Sequence, residues 1–303
     1  RDLRMSRGLG DVYKRQGAMT GKTKKPQVAA IGEIVSDILP DSRKLGGAPA
    51  DFLHYAVKSG ADGHLISAIG ADDLGREVVA ELNKFGIKPV LAITPYPTGR
   101  VLIFRSPSGG HTAHILENAA WDYIPYTEAA ETCIKNADAV FFGTLALRKT
   151  YSRNTILDLI DCAPEKALKF FDINIRQEYY DKQTIETLLT KANILKLNTD
   201  ELKTLKAMLK ISGSPDDFCL RLKEDYGLKY LILTDMAKES RVYGDDVTVV
   251  KNSGIRQAFA FGAGNAFAGT FTADVLKGAS QQEAHETANQ AAVDVCRANL
   301  KNA

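Results

Sequence analysis

Ile194-Leu195-Lys196-Leu197-Asn198-Thr199-Asp200-Glu201-Leu202-Lys203 contains the change of period that decides the fold. Ile194–Leu197 is a short apolar run, as a strand buried on both faces requires, and Thr199–Leu209 repeats its apolar residues at helical spacing. The same handover recurs outward in both directions. Val28–Ile31, His64–Ile69, Ala139–Phe142, Leu168–Ile173 and Tyr230–Leu233 read as further buried strands. Asp51–Lys58, Gly75–Phe85, Arg153–Asp161, Gln183–Lys191 and Asp216–Tyr226 read as amphipathic helices between them. Strand–helix alternation of this kind implies an α/β fold with a central, mostly parallel sheet and helices on both faces. After Ser253 the chain is expected to close with two helices, Asn265–Lys277 and Gln281–Leu300.

Residues 34–47 and 92–118 break the rhythm. They alternate polar and apolar, as in Arg100-Val101-Leu102-Ile103-Phe104 and His111-Thr112-Ala113-His114-Ile115, with Gly109-Gly110 as a turn between them. Alternation signals half-exposed antiparallel pairing, so a small β-sheet lid standing off the main body is expected. No repeat or Pro-rich linker divides the chain, so residues 26–303 are expected to form one domain that carries this lid.

Composition narrows the function. The 303 residues carry a net charge of +2, but residues 1–25 hold eight basic residues against two acidic ones, and the remaining 278 hold 31 against 35. The basic excess therefore belongs to the tail, and the body gives no argument for nucleic-acid binding. Residues 1–25 are expected to be disordered or artefactual. Asp11-Val12-Tyr13-Lys14-Arg15-Gln16 reads as one frame of a transposase-end sequencing adapter, which would make residues 1–18 read-through and Met19 the native start. There is no apolar run long enough to span a membrane and no signal-peptide core, so a cytoplasmic location is expected. Gly17–Thr23 imitates a P-loop but has three residues between its glycines where four are needed. The four cysteines and five histidines form no metal-type spacing.

Glycine-rich turns at helix starts carry the chemistry. Gly262-Ala263-Gly264 precedes a helix with Phe267, Phe271 and Val275 at helical spacing, so its amides are placed to meet an anion. Leu45-Gly46-Gly47-Ala48-Pro49-Ala50-Asp51 opens another helix just after the first lid segment. Ile69-Gly70-Ala71-Asp72-Asp73-Leu74-Gly75 and Asn198-Thr199-Asp200-Glu201 each follow a strand, and the latter brings an amide and a carboxylate to a turn where hydrated Mg²⁺ could be held. A dinucleotide oxidoreductase is excluded, because no Gly-x-Gly-x-x-Gly follows the first strand.

The ordered set is more specific than its parts. Gly32-Glu33 through Asp37, Leu45 through Ala50, Glu117-Asn118-Ala119-Ala120-Trp121-Asp122, Phe142-Gly143-Thr144-Leu145-Ala146, Asp172-Ile173-Asn174-Ile175-Arg176-Gln177 and Leu197-Asn198 through Glu201 together resemble the ribokinase-like, or PfkB-type, carbohydrate kinases. Among these the sequence is most similar to bacterial fructokinases, across essentially residues 27–300. The resemblance implies transfer of the γ-phosphoryl group of ATP, with Mg²⁺, to a sugar hydroxyl. It implies that Asp37, Gly46, Gly47 and Asp51 hold the sugar. Arg176 would face the transferring phosphate, while the Gly262, Ala263 and Gly264 amides stabilise its charge. Asn198 and Glu201 would organise phosphates and Mg²⁺, with Glu201 acting on the metal indirectly. Thr234 would lie in the nucleotide-side turn and Asn289 near the adenine. A homodimer could pair through the open lid sheet.

The sequence departs from that pattern at chosen places. The family loop runs Asp-Thr-x-Gly-Ala-Gly-Asp, its last Asp being the base, whereas this chain has Phe259-Ala260-Phe261-Gly262-Ala263-Gly264-Asn265. A carboxamide cannot take a proton at neutral pH, so slowed catalysis is expected. Met236 and Glu239 stand where the nucleotide-side turn has glycines, which would strain a positive-φ turn. On the sugar side the family's Asn is Asp51. The second reading is therefore a non-catalytic sugar- or nucleotide-binding regulator on a kinase fold.

Overall fold

The computed structural model describes residues 24–39, 42–105, 111–252 and 260–301. The tail through residue 23, the Gly109-Gly110 turn and Phe259 lie outside them. In chain order the elements are β1 (Gln27–Ile31), β2 (Val35–Ile38), β3 (Arg43–Gly46), α1 (Ala48–Lys58), β4 (Asp62–Gly70), α2 (Asp73–Lys84), β5 (Ile87–Thr94), β6 (Gly99–Arg105) and β7 (His111–Ile115). There follow α3 (Glu128–Lys135), β8 (Ala139–Gly143), α4 (Thr150–Asp161), β9 (Leu168–Asp172), α5 (Lys182–Lys191), β10 (Ile194–Asn198), α6 (Thr199–Leu209) and α7 (Pro215–Asp225). The chain ends with β11 (Tyr230–Asp235), β12 (Glu239–Tyr243), β13 (Val247–Lys251), α8 (Ala263–Leu276) and α9 (Gln281–Lys301).

Nine strands form one sheet in the order β13-β12-β11-β10-β9-β8-β1-β4-β5, parallel from β11 through β5 and antiparallel at β12 and β13. Alternation along β1 shows how both faces are covered. Ala29 and Ile31 pack with Ile134, Leu159, Leu188 and Leu205 from the α3–α6 side, while Val28 and Ala30 pack with Phe52, Leu82, Phe271 and Ala288 from α1, α2, α8 and α9. On that second face Phe52 stacks on Phe141 of β8 at 4.3 Å between ring centroids. The chain winds outward from β1 in both directions, β4 and β5 one way and β8 to β11 the other. Ligands of open α/β sheets bind at such a switch point, beyond the carboxyl ends of the strands.

A separate sheet has the order β3-β2-β6-β7. It differs from the expected antiparallel arrangement, because β2 pairs in parallel with β6 and only β2–β3 and β6–β7 are antiparallel. The reason is topological: β2 and β6 each enter from the same side of the main sheet, after β1 and after β5. The expected start at residue 92 also needs correction. Ile87–Thr94 is a parallel edge strand on β4, and the small sheet resumes at Gly99. An edge strand is only partly covered, and β5 is intermediate or exposed at every position after Ile87, which makes it read like a strand of the smaller, half-exposed sheet.

Candidate active site

The carboxyl ends of β9, β10 and β11 and the start of α8 enclose a cavity of about 330 Å³. Asp172 lines it from β9, Asn174 and Arg176 from the loop that follows, Lys196, Asn198 and Glu201 from β10 and α6, Thr234 from β11 and Met236 from just beyond it, while Ala260, Phe261, Gly262, Gly264 and Asn265 close it. The expected phosphate-side residues Arg176, Asn198, Glu201, Thr234, Gly262, Gly264 and Asn265 are thus brought together.

Gly262 is the N-cap of α8 at φ 79°, a left-handed conformation open to glycine at little cost. The Ala263 amide is spent on the Ala260 carbonyl, whereas the Gly264 and Asn265 amides have no backbone acceptor among the described residues. Those orphan first-turn donors, with the helix dipole behind them, make the anion-accepting feature. Beneath them Lys196 Nζ lies 2.9 Å from where a Cβ on Gly264 would stand. Lys196 donates to both carboxylate oxygens of Asp172 at 3.0 and 3.1 Å, in a nearly dry setting. Arg176 is exposed at the rim, between Asn174 at φ 41° and Gln177 at φ 49°. Positive φ at two non-glycine residues marks a backbone held against its preference.

Asn198 and Glu201 form a capping box on α6. Asn198 Oδ1 accepts from the amides of Asp200 and Glu201, both at 2.9 Å, and Glu201 Oε2 accepts from the Asn198 amide at 2.8 Å. Glu201 Oε1 accepts from the Ile175 amide at 3.1 Å, which ties the cap to the loop that carries Arg176. Burial, followed by the negative charge of Asp172, raises the Glu201 carboxyl above its ordinary range. Among the described residues no three Asp, Glu, His or Cys converge as a cation cage. The donor set suits a cation that keeps its waters and is held mainly by phosphate, with Glu201 at second hand.

The residues expected to hold the sugar gather at the start of α1. Gly47 is its N-cap at φ 107°, and the Ala48 amide donates to the buried Glu33 carboxylate at 3.3 Å. Gly46 lies against the Asp37 carboxylate. Asp51, in the first turn of α1, accepts a hydrogen bond from Asn265 Nδ2 at 3.3 Å. A close helix crossing makes this contact, since a Cβ on Gly269 of α8 would come within 2.2 Å of the Phe52 carbonyl of α1. Burial pushes the Glu33 and Asp51 carboxyls up to about 7 and that of Asp37 up to about 6, in each case against the attraction of Arg176.

Asn289 does not join the cavity. Its carboxamide accepts from Ser240 Oγ and donates to Asn252 Oδ1, both at 2.8 Å, inside a buried network that also holds His285. The expected strain at Met236 and Glu239 is also absent. Neither has positive φ, because the turn between β11 and β12 is tightened by the Lys238 amide on the Asp235 carbonyl and Glu239 is already in β12. Glu33, Asp172 and Lys196 are polar residues of the site to which the sequence, though it shows Glu33 and Asp172 within the family-like segments, had assigned no role. The signal for Lys196 was a lone cation within an apolar strand run, and for Asp172 a carboxylate at a strand's carboxyl end.

Residues 33–299 match the profile of the pfkB family carbohydrate kinases. The chain is 24% identical to an ATP-dependent 6-phosphofructokinase of Thermoanaerobacterium thermosaccharolyticum over 84% of its length and 83% of that protein's. It is 25% identical to a probable fructokinase-5 of Arabidopsis thaliana, covering 84% of each chain. The fold resembles that of Vibrio cholerae O395 fructokinase crystallised with fructose, ADP and calcium, at a TM-score of 0.71 and 20% identity, over 89% of this chain and 90% of that one.

Proposed function

This chain belongs to the pfkB family of carbohydrate kinases, ATP-dependent sugar phosphotransferases, and on that premise we propose that it phosphorylates a hydroxyl of a fructose-like sugar. The observation that supports the reading is the meeting of two unlike half-sites at one helix start. On one side of Asn265 lie the Gly264 and Asn265 amides, which have no backbone acceptor among the described residues, with Lys196 and Arg176, which suit a triphosphate; on the other lie Asp51 and the neighbouring Asp37, which suit hydroxyl donors. Phosphoryl transfer needs positioning and charge stabilisation above all, and this arrangement supplies both.

In this reading Asp37, Asp51 and the Gly46-Gly47 turn orient the sugar. The Gly264 and Asn265 amides, the Gly262 turn that aims them, Lys196 and Arg176 receive charge on the transferring group. Asn198 and Glu201 hold the nucleotide phosphates and the waters of Mg²⁺, which would neutralise charge between phosphates when bound, and Thr234 faces the nucleotide. Asn265 alone would leave transfer about 10²–10⁴-fold slow for want of a base. Residues from 26 onward act as one catalytic unit, with the small sheet as its lid. Its outer strands β3 and β7 offer edges through which a second copy could pair, and the reaction would take place in the cytoplasm.

Sugar-dependent ADP formation, measured over a panel of ketohexoses, aldohexoses and ribose, tests the reading. Saturable turnover with at least one ketohexose is expected. A sugar-induced melting shift with no ADP formed would favour the non-catalytic binding reading instead.

A further inference from the structure

The position where a base is expected holds a carboxamide, and that carboxamide touches one carboxylate. Asn265 Nδ2 donates to Asp51 Oδ2, while among the described residues Asp51 Oδ1 accepts no hydrogen bond. Asn at 265 and Asp at 51 read in sequence as two unrelated departures. In space they are adjacent, so the pair still offers one carboxylate and one carboxamide, with the two exchanged.

We propose that Asp51, rather than the residue at position 265, takes the proton from the sugar hydroxyl; the inference rests on the sugar-kinase reading above. The Asn265 amide acts as the positioning partner, fixing one carboxylate oxygen and leaving the other to meet the hydroxyl. In the transfer step the hydroxyl oxygen bonds to the γ-phosphorus as the bond from that phosphorus to the β,γ-bridging oxygen breaks. The hydroxyl proton passes to Asp51, ADP leaves with the bridging oxygen and its electron pair, and Asp51 later releases the proton to water. Atoms and charge balance with no further reactant.

The surroundings suit a base that works near neutrality. Burial brings the Asp51 carboxyl to about 7; the Asn265 hydrogen bond and Arg176 pull it down, while Asp37 and Glu33 hold it up. Tyr55, on the same helix, is raised by burial first and by the charge of Asp51 second. A base is most effective with a pKa near the working pH. The small-residue crossing at Gly269 keeps the two helix starts in register, so the pair is held by backbone packing as well as by its own 3.3 Å contact.

The test compares wild type, Asp51→Asn, and the exchanged pair Asp51→Asn with Asn265→Asp. Each is assayed for sugar-dependent ADP formation from pH 5.5 to 8.5 and for sugar-induced melting shift, which also confirms folding. Asp51→Asn should lower kcat by about 10²–10⁴-fold while still showing the sugar-induced shift, and should lose the rise in rate near pH 7. The exchanged pair should recover to within about tenfold of wild type. The proposal is overturned if Asp51→Asn keeps kcat within about threefold, well short of a lost base. It is also overturned if the exchanged pair turns over where wild type does not, an outcome that leaves the sugar-kinase reading intact. If wild type and exchanged pair are both folded and inactive on every sugar, the kinase reading falls and this inference falls with it.

Discussion

Replacing Lys196 by Met removes a buried cation beneath the Gly264 and Asn265 amides and leaves Asp172 behind. The pair is almost dry, with side-chain exposures of 7% and 2%, and Lys196 Nζ spans both carboxylate oxygens at 3.0 and 3.1 Å. Deleting one partner of such a pair strands a charge away from water, at a cost of about 3–5 kcal/mol. Charge-assisted hydrogen bonds to phosphate contribute roughly 1.5–3 kcal/mol, so ATP, which carries the transferring phosphate, should bind about ten- to a hundredfold more weakly. The two losses can be separated. Combining Lys196→Met with Asp172→Asn removes the stranded charge, so most of the stability should return while the ATP affinity does not. Urea unfolding at constant m value and ATP titration calorimetry without sugar measure the two quantities. A Lys196→Met cost below about 1 kcal/mol, well under that of a broken buried pair, would show that the pair is not held as described. A double variant that recovers ATP affinity would remove Lys196 from the proposed phosphate site.

Asn265→Asp sets a second carboxylate against Asp51, so sugar-dependent ADP formation should rise by less than about tenfold; a rise of about a hundredfold or more would return the base to position 265. Gly269→Ala drives a Cβ to 2.2 Å from the Phe52 carbonyl and must part α1 from α8. Overpacking of this kind should cost about 1–3 kcal/mol in urea unfolding and lower kcat by separating Asp51 from Asn265, whereas unchanged kcat would show that the register of the two helix starts is not needed. Glu33, raised by burial from 4.5 to about 7, binds more protons folded than unfolded between those values. Stability should therefore fall as pH rises through that window, and Glu33→Gln should flatten the decline in melting temperature; an unchanged slope would contradict the burial of an ionisable Glu33.

The parallel core was legible because a strand buried on both faces has no alternation to confuse it. Every apolar run from Val28 to Leu233 proved to be a central strand, and the helices between them extended only a few residues beyond their apolar repeats. The edges were harder. β13 is exposed at every second residue, as a strand of the small sheet would be, β5 is only partly covered along its length, and α3 is an eight-residue helix with few apolar positions to repeat. The glycine turns and the capping box at Asn198 announced themselves by residue type, because positive φ and helix starts are local properties. The contact between Asp51 and Asn265 was not local. The two residues are 214 positions apart, and what joins them is a helix crossing permitted by Gly269, whose role is invisible until the helices are packed. The partners of Asn289 were equally non-local: its place on α9 was legible, but Ser240 and Asn252, which take up its carboxamide, lie outside any local pattern.

The most direct measurement is ADP formation by the purified wild-type protein at pH 7.5 with ATP, Mg²⁺ and fructose, run beside the same mixture without sugar and followed by identification of the sugar product. The account predicts saturable, fructose-dependent ADP release matched one for one by phosphorylated sugar. A folded protein whose melting temperature responds to ATP and fructose, yet which forms no phosphorylated sugar from fructose or any other member of the panel, would contradict it.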